Sequence, residues 1–398
     1  MKGTVYKRLL PSGKITWAVS VDAGKDETGK RKRIFKSGFE RKLDADIELA
    51  KILNDRNEGS LVRPDPRTFA EFSDAWLAEY AETSCAPKTA ERYREMLQHV
   101  KRAIGPQPLS KITTLQLQRV YNKLLKEGKK DGKPHSIKTV RNIHGVVHVA
   151  LETAVAWNLL KTNPASRCKL PPAPKHEARA LDFSAVRKLL ESSSEHWLGD
   201  FVVVDTTCGA RRGEILALTW CDVDFDAGAV TISKSLEQTK AGLRVKETKG
   251  RNIRTVPLPQ DAIDALRRVK VSQDQVRPMF GSDYRADLDL VFCHPDGDYI
   301  RPDTVTKAVR RIAKKAGFPG VSLHTLRHSY GSQLLSSGVP LPTVSKLLGH
   351  SNIYVTATVY AHALPSDESA AAEKWQAAKD RAAKSKVVEI PLKNKKQA

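Results

Sequence analysis

Five short motifs in the second half of the chain carry residue types suited to chemistry on a phosphodiester. In chain order they are Cys208-Gly209-Ala210-Arg211-Arg212-Gly213-Glu214, Lys249-Gly250-Arg251, His324-Thr325-Leu326-Arg327, Leu348-Gly349-His350 and Tyr360-Ala361-His362. Attack on a phosphodiester builds negative charge on the non-bridging oxygens, and guanidinium groups can meet that charge with permanently charged, bidentate donors. A tyrosine hydroxyl, whose pKa is ordinarily about 10, can act as the nucleophile when a base lies nearby.

In this order the motifs resemble the catalytic domain of the tyrosine recombinases, the phage-integrase family. The likeness covers residues 178–362, and His350 stands ten residues before Tyr360. His324 and Arg327 alone would be a weak signal, because such pairs occur by chance in helix-rich basic proteins. The agreement of all five motifs in the family's order makes the resemblance specific.

The resemblance implies roles for six side chains: the phosphate clamp Arg211 and Arg327, the nucleophile Tyr360, the general acid Lys249, and two histidines of the phosphate pocket, His324 and His350. By the same analogy His324 is the candidate base, and Lys249 lies on the turn of a β-hairpin. No cofactor or metal is implied, because the arginines supply the charge that a metal ion would otherwise supply.

Two of these residues have a competitor of the same type nearby. Arg212 is adjacent to Arg211, but only Arg211 stands at the family's distance from the Gly-Glu pair that follows. Tyr354 is the rival nucleophile, but only Tyr360 carries the following x-His. We therefore predict that Arg211 and Tyr360 act on the phosphate.

The remaining assignments have structural alternatives. Lys246 competes with Lys249, but Lys249 stands eight residues before Pro257, which is the family's spacing. His324 could instead cap the helix that begins nearby, and His350 could serve only the turn in which it lies.

Two further patterns suggest other chemistry. The stretch 24–31 approaches the phosphate-binding GxxxxGK[ST] loop, but Arg31 occupies the hydroxyl position and a strand is predicted to follow, so we interpret it as a β-turn. His144 and His148 lie four residues apart on a predicted helix without an acid or a third ligand, which is typical of ordinary helix-face histidines. The five cysteines include no CxxC pair, so we interpret them as small buried hydrophobic residues.

Positive charge is spread along the whole chain. The 398 residues include 67 Lys+Arg and 45 Asp+Glu, which leaves a net charge of +22. Residues 1–60 carry +5, residues 61–177 carry +9 and residues 178–398 carry +8. Because 40% of the residues are hydrophobic, this charge belongs to the surfaces of folded domains. The distribution favours a polyanion that contacts every part of the molecule.

The first 57 residues predict a three-stranded sheet backed by one helix. Strand-like runs at 4–9, 15–21 and 33–35 are separated by turn signals, and apolar residues at helical spacing follow over 41–57. Basic side chains would lie beside Trp17 and Phe35 on this sheet. That arrangement suits groove or phosphate binding, and a solvated charged face is the alternative.

A linker at 59–66 leads into a helical region. Thr68 and Glu71 predict a capping box, and helices are expected over 89–104, 114–126 and 137–159. Residues 101–141 hold 11 basic and 2 acidic residues, which is more typical of a surface for the DNA backbone than of one built for solubility. Proline-rich residues 163–174 end the region.

From residue 178 the pattern predicts helices with one inserted sheet. The expected strands are 230–233, 243–246 and 254–257, and the expected helices are 183–193, 197–204, one starting at 211, 262–271, 304–316, 325–336, 342–348 and 367–383.

The prediction for the whole chain is a multidomain fold. Residues 1–177 also resemble the family's small arm-binding sheet domain and its helical core-binding domain. The resemblance implies that a small α+β N-terminal sheet domain for arm-type DNA sites (1–60) precedes an all-α helical core-binding domain (66–170). A mainly α catalytic domain with a small antiparallel sheet (178–385) and a basic tail (386–398) complete the chain.

The function that follows from the resemblance is that of a site-specific recombinase, or integrase, of a prophage or integrative element. It would cut and rejoin strands through a 3′-phosphotyrosyl intermediate, acting as a homotetramer on double-stranded DNA at core and arm-type sites. A DNA-bending host protein and an excisionase are further candidate partners. The alternatives are strand nicking and resealing like that of a type IB topoisomerase, and a DNA-binding protein without catalysis.

The sequence also predicts a cytoplasmic, nucleoid-associated protein without membrane contact. Its N-terminus lacks the apolar core of a signal peptide, and its most apolar stretches are far shorter than the ~20 residues that cross a bilayer.

Overall fold

The computed structural model of the chain describes residues 3–11, 13–25, 31–57, 66–128, 132–174, 180–248, 253–360 and 368–384. The chain divides into two compact units, residues 1–176 and 177–398. Within the described ranges, no helix combines the length and the apolar character needed to cross a membrane.

The first unit begins with an antiparallel sheet in the order β1-β2-β3, formed by Thr4–Leu9, Ile15–Lys25 and Arg31–Phe39, followed by helix α1 over Lys42–Asn57. Val19 and Val21 from β2 pack with Ala45 and Ile52 from α1 in a small core. Lys25 pairs with Arg31 across two strands, so a strand and not a helix follows the stretch 24–31. The turn itself, residues 26–30, lies outside the described residues.

The same unit continues as a helical bundle. Its helices are α2 (Phe69–Trp76), which runs on as a π-helical turn at Leu77–Ala81, α3 (Glu82–Ser84), α4 (Pro87–Ile104), α5 (Thr114–Glu127) and α6 (Ile137–Ala156). The predicted capping box is confirmed, because the Glu71 amide donates to Thr68 Oγ1 at 3.3 Å and the Thr68 amide donates to Glu71 Oε2 at 2.7 Å. The bundle has its own core, which includes Phe69, Phe72, Trp76, Leu97, Tyr121 and Leu151.

The two histidines on α6 behave as helix-face residues. The rings of His144 and His148 lie 5.9 Å apart, and His148 Nε2 lies 3.2 Å from Ser166 Oγ. Among the described residues no group of three or more His, Cys, Asp or Glu side chains is placed to hold a metal ion.

The second unit is mainly helical. Its helices are α7 (Phe183–Ser193), α8 (Gly199–Cys208), α9 (Arg212–Ile215), α10 (Gln260–Phe280), α11 (Pro302–Lys315), α12 (Leu323–Ser336), α13 (Leu341–Leu348), α14 (Ile353–Tyr360) and α15 (Glu368–Lys384). Its largest core is built around α8 and includes Phe201, Val202, Ile215, Val256, Val309 and Leu326.

Two small sheets lie in this unit where the sequence predicted one. Strands β4 (Val223–Asp224), β5 (Ala229–Ile232) and β8 (Arg254–Pro257) form the first, and β6 (Lys234–Thr239) pairs with β7 (Gly242–Glu247) in the second. Strand β6 escaped prediction because its mostly polar sequence buries only Leu236 fully.

The predicted hairpin around Lys249 is wrong in its pairing. Strand β7, which precedes Lys249, pairs with β6, and strand β8, which follows it, pairs with β5. Ser233 lies between β5 and β6, and these two strands pair with different strands.

Helix α14 has no counterpart in the sequence prediction. Its sequence, IYVTATVY, is rich in β-branched and aromatic residues, which lower intrinsic helix propensity. Burial of Thr356 and Tyr360 stabilises it instead. The helix that the sequence predicts from residue 211 is α9, which spans the four residues Arg212–Ile215.

The structure also bears on the predicted N-cap of α12 and on the predicted burial of the cysteines. Ser322, and not His324, caps α12 through a capping box with Thr325. Cys208 is fully buried as predicted, whereas Cys221 is exposed, so the prediction of buried cysteines is wrong for that residue.

Candidate active site

The C-terminal end of α13 brings three arginines together. Three successive backbone carbonyls, those of residues 347–349, each accept a hydrogen bond from a guanidinium group. Arg254 Nε donates to the first at 2.8 Å, Arg327 Nη2 to the second at 2.6 Å and Arg211 Nη2 to the third at 3.4 Å. The free carbonyls of a helix C-terminus carry partial negative charge, which offsets the mutual repulsion of these cations. We call Arg211, Arg254 and Arg327 the arginine cluster.

Arg327 is the deeply buried member of the cluster. It lies on α12 with 4% of its surface exposed, and its Nη1 also donates to the Gly209 carbonyl at 2.7 Å. Burial lowers the pKa of Arg327 to about 10, and the charge of Arg211 adds to this effect. The guanidinium therefore stays charged at neutral pH in a site of low polarity, where its charge has the most effect.

Gly209 is required where α8 ends beside Arg327. Its φ of 59° lies in the left-handed region. An added Cβ would lie 2.2 Å from Cδ1 of Tyr330, so no side chain fits there. The glycine of the first motif thus allows α8 to end with its carbonyl aimed at Arg327.

Arg211 is held at the start of α9 by Glu214. The Arg211 amide donates to Glu214 Oε2 at 2.9 Å, and Arg211 Nη1 donates to Oε1 at 2.8 Å. Arg254 Nη2 also donates to Glu214 Oε2, at 2.6 Å. Burial raises the pKa of Glu214, but the hydrogen bonds and charges of Arg254 and Arg211 outweigh this, so the net shift is downward.

The competitor of Arg211 points elsewhere. Arg212 donates from Nη1 to the Pro302 carbonyl at 3.1 Å and contacts Thr306, both on α11. The structure therefore brings Arg211, and not Arg212, into the arginine cluster.

His350 follows α13 directly and lies beside the cluster. Its Nδ1 is 2.8 Å from Thr356 Oγ1 on α14. Burial lowers the pKa of His350 to about 4, with further lowering from Arg327 and Arg211. This imidazole is neutral at physiological pH.

Tyr360 ends α14 as a buried residue, 1% exposed. It belongs to a buried cluster with Leu335, Val344 and Leu348, and its hydroxyl would lie 2.8 Å from a Cβ added at Gly331. Burial raises the pKa of Tyr360, and the charge of Arg327 opposes that rise. By contrast, Tyr354 is 71% exposed on the same helix.

His324 reaches the neighbourhood of Tyr360 through a second histidine. The Nε2 atoms of His324 and His328 are 3.1 Å apart, and the His328 ring lies 5.4 Å from the Tyr360 ring, measured between centroids. The sequence analysis did not predict His328. Its spacing of four from His324 on one helix could have indicated it.

Only one of the two candidate lysines, Lys246, lies within the described residues. Lys249 lies outside the described residues. Lys246, its competitor, forms an ion pair with Glu237 across the β6–β7 pair, and Arg244 bonds the same carboxylate at 2.8 Å.

Arg254 and the positioning role of Glu214 were missed by the sequence analysis. Arg254 and Val256 are buried and alternate with exposed Thr255 and Pro257 along β8. A charged residue at an inward-facing strand position was the signal that could have found it.

Comparisons with known proteins identify the family of this chain. Residues 179–367 match the model described as the phage integrase family, residues 68–125 match the N-terminal SAM-like domain of phage integrases, and residues 5–55 match an arm DNA-binding domain. A tyrosine recombinase XerC-like protein of Caldanaerobacter subterraneus subsp. tengcongensis is 30% identical over 387 residues, covering 92% of this chain and 96% of that protein. The chain belongs to the tyrosine recombinase family. An integrase of Streptomyces ambofaciens is 28% identical, with 86% of this chain and 88% of that protein covered.

Solved structures of integrases share the fold of this tyrosine recombinase. The Tn1549 transposon integrase in complex with a circular intermediate DNA has a TM-score of 0.65 at 20% identity, covering 78% of this chain and 99% of that one. A lambda integrase dimer bound to a core site has a TM-score of 0.56 at 18% identity, covering 74% and 95%. The predicted fold class and the predicted enzyme class, a tyrosine site-specific recombinase acting on DNA, are confirmed.

Proposed function

We propose that Tyr360 is the nucleophile with which this recombinase cuts and rejoins DNA, and that Arg211 and Arg327 of the arginine cluster bind the scissile phosphate. The observation that supports this most is the assembly at the end of α13. Arg211 and Arg327 donate to the neighbouring carbonyls of Gly349 and Leu348, His350 is the next residue of the chain, and Tyr360 belongs to the same buried cluster as Leu348.

In the proposed first step, Tyr360 Oη attacks the scissile phosphorus and the bond from phosphorus to the 5′ oxygen breaks. The products are a 3′-phosphotyrosyl linkage and a free 5′-hydroxyl. Attack by the 5′-hydroxyl of a second strand reverses the chemistry and releases Tyr360. Since every bond that breaks is remade, the cycle needs no ATP.

The arginines act on the negative charge that develops on the phosphate. The Arg211 side chain is 44% exposed and so remains accessible to DNA. Each terminal nitrogen of Arg327 carries a second hydrogen beside the one given to a carbonyl, so it can bind phosphate without leaving α13. Donors fixed before the substrate arrives need no reorganisation during the reaction.

His350 would donate a further hydrogen bond to the phosphate, and the His324–His328 pair would accept the proton of Tyr360. When the Thr356 hydroxyl donates to Nδ1 of His350, the proton of that neutral ring lies on Nε2, where it can bind a phosphate oxygen. The proton of Tyr360 passes to the His324–His328 pair, with His324 as the base. Because burial raises the pKa of Tyr360, the reaction depends on such a base.

Replacing the nucleophile tests the assignment directly. Tyr360→Phe should bind a core DNA duplex but form no covalent complex, because only the attacking oxygen is lost. A suicide substrate carrying a nick, followed by denaturing electrophoresis, measures the complex, and Tyr354→Phe serves as the matched control. A covalent band with Tyr360→Phe, or its loss only with Tyr354→Phe, would overturn the assignment.

Lys249 is proposed as the acid that protonates the departing 5′ oxygen. A general acid typically contributes 10²- to 10⁴-fold, so Lys249→Ala should slow cleavage by about that factor with little change in DNA affinity. A substrate with sulfur at the 5′ bridging position should restore cleavage, because a thiolate leaves without a proton. Lys246→Ala is the matched control, and rescue of that variant instead would transfer the role to Lys246.

DNA is the partner of this recombinase, and its assembly is proposed by analogy. Four protomers would hold two duplexes, with residues 1–60 on arm-type sites and residues 66–170 and 178–385 on core sites. The net charge of +9 in residues 61–177 suits contact with the DNA backbone. A DNA-bending host protein and an excisionase are proposed as accessory partners, acting in the cytoplasm at the nucleoid.

A further inference from the structure

Arg254 is a buried arginine that the proposed reaction does not use. Its side chain is 4% exposed and lies on the inward face of β8 beside Val256. A charged group is costly to bury unless its hydrogen bonds are satisfied. Its contacts therefore define what it does in the fold.

Two hydrogen bonds connect Arg254 to two different parts of the active site. Nη2 donates to Glu214 Oε2 at 2.6 Å, and Nε donates to the Leu347 carbonyl at 2.8 Å. The guanidinium also packs against Gly349, where an added Cβ would lie 2.7 Å from Nη1. The φ of 64° at Gly349 independently favours glycine. Arg254 thus joins α9 to the turn that leads to His350.

Glu214 transmits this connection to Arg211. Each oxygen of its carboxylate accepts a hydrogen bond from Arg211, and Oε2 is shared between the Arg211 amide and Arg254. Movement of Glu214 would change both the backbone and the guanidinium of Arg211. The three side chains form one continuous chain of charge-assisted hydrogen bonds, which are stronger than neutral ones.

We infer that Arg254 is a positioning residue that fixes the Glu214 carboxylate and thereby holds Arg211 in the geometry that meets the scissile phosphate. This inference rests on the proposed function of Arg211. Arg254 acts through Glu214 and the end of α13, so its loss should affect the rate of cleavage more than the affinity for DNA.

The protonation state of Glu214 distinguishes the positioning role of Arg254 from a purely structural role. The groups facing Glu214 are Arg211 on its own segment, Arg254 from β8, Arg327 from α12 and the thiol of Cys208 from α8. Burial raises the pKa of the Cys208 thiol to about 12, so that group is neutral. Without Arg254 the strongest influence that lowers the pKa of Glu214 is lost and burial still raises it, so Glu214 protonates at a higher pH than in wild type and its bond to the Arg211 guanidinium weakens.

The test compares Arg254→Met with wild type in single-turnover cleavage of a nicked core duplex between pH 5 and 9. We expect a rate about 10²-fold lower near pH 7, which is the typical effect of misplacing a catalytic group by 1 Å, with DNA affinity within about threefold. The deficit should shrink as the pH rises. Adding Glu214→Gln to Arg254→Met should abolish that extra pH dependence, because the amide does not titrate.

Arg268→Met is the matched control. Arg268 forms an equivalent pair with Asp200, at 2.6 Å, but its side chain is 59% exposed. Its loss should leave the rate and the pH profile unchanged. A wild-type rate in Arg254→Met, equal losses of affinity and rate, or a deficit that is constant with pH would each overturn the inference.

A conservative variant covers the case in which Arg254→Met does not fold. Arg254→Lys keeps a positive charge but cannot bind Glu214 and Leu347 with the fork of a guanidinium. It should cleave about tenfold slower, corresponding to the loss of one good hydrogen bond, without the added pH dependence. A wild-type rate would overturn the inference. Failure of the proposed function is distinguishable, because wild type would then form no covalent linkage at Tyr360.

Discussion

Two buried carboxyl groups in the second unit have opposite environments. Glu214 is 2% exposed and accepts hydrogen bonds from Arg211 and Arg254. Asp205, on α8, is 0% exposed, and within the described part of the chain neither of its oxygens has a hydrogen-bond partner. Burial raises the pKa of Asp205 well above its ordinary value, and the charge of Arg327 only partly opposes this. The pKa of Glu214 is lowered.

The difference shows that the partners, and not the depth of burial, decide whether a buried acid is charged. Glu214 is ionised at neutral pH because two guanidinium groups bind it, and it holds Arg211, for which we propose a role at the scissile phosphate. Among the residues that the structure describes, none donates a hydrogen bond to the carboxyl group of Asp205, and burial favours its protonated form. Only the first of these two carboxyl groups can supply negative charge to the active site.

The largest expected effect comes from removing Glu214, the ionised one of the two carboxyl groups. Glu214→Leu leaves the buried guanidinium of Arg254 without its counter-ion, which typically costs about 3–5 kcal/mol. The free energy of unfolding, measured with urea at pH 7, should fall by that amount. Asp205→Asn is the matched control and should not destabilise the protein. A loss below about 1 kcal/mol in Glu214→Leu would show that the ion pair does not hold this region together.

The second prediction concerns the pH dependence of Asp205. Its pKa in the folded state lies above its value of about 3.9 in the unfolded chain, so the folded state binds the proton more tightly. This group therefore stabilises the fold at low pH, and that contribution is lost as the pH rises from about 4 to the folded-state pKa.

Asp205→Asn should remove this loss of stability at rising pH, because an amide does not titrate. The difference in unfolding free energy between the variant and wild type should grow by up to about 1.4 kcal/mol per pH unit above pH 4, then level off. Urea unfolding at several pH values measures it. Glu214 should contribute with the opposite sign, since its lowered pKa stabilises the fold above its ordinary pKa of about 4.3 and loses that effect on acidification. A difference for Asp205→Asn that stays flat with pH would mean that Asp205 is ionised in the fold.

The comparison of Glu214 with Asp205 also shows which features of the site could be predicted from the sequence and which could not. Hydrophobic periodicity located most helices, and the motif spacing identified Arg211, Arg327, His350 and Tyr360, which the structure brings to one region. The bond between Glu214 and Arg254 was not predictable, because 40 residues separate them and only the packing of β8 joins them. Asp205 lies within the sequence FVVVDTTC, and nothing in that pattern indicates which groups would meet its carboxyl in the fold.

The smallest expected effect extends the comparison to the helical bundle of the first unit. Tyr121 on α5 is fully buried, and its hydroxyl, like the oxygens of Asp205, has no hydrogen-bond partner within the described ranges. Its ring meets the His144 ring edge to face at 5.3 Å. Tyr121→Phe keeps that ring contact and removes only the unsatisfied hydroxyl.

Because an unsatisfied buried hydroxyl is unfavourable, Tyr121→Phe should raise the unfolding free energy of the bundle by a few tenths to about 1 kcal/mol. Hydrogen exchange of the α5 and α6 amides, located by mass spectrometry, measures the change in this unit alone. Tyr354→Phe alters an exposed tyrosine of the other unit and should leave those amides unchanged. A clear destabilisation by Tyr121→Phe would mean that an ordered water satisfies the hydroxyl, and Tyr121 would then belong with Glu214 among the partnered groups.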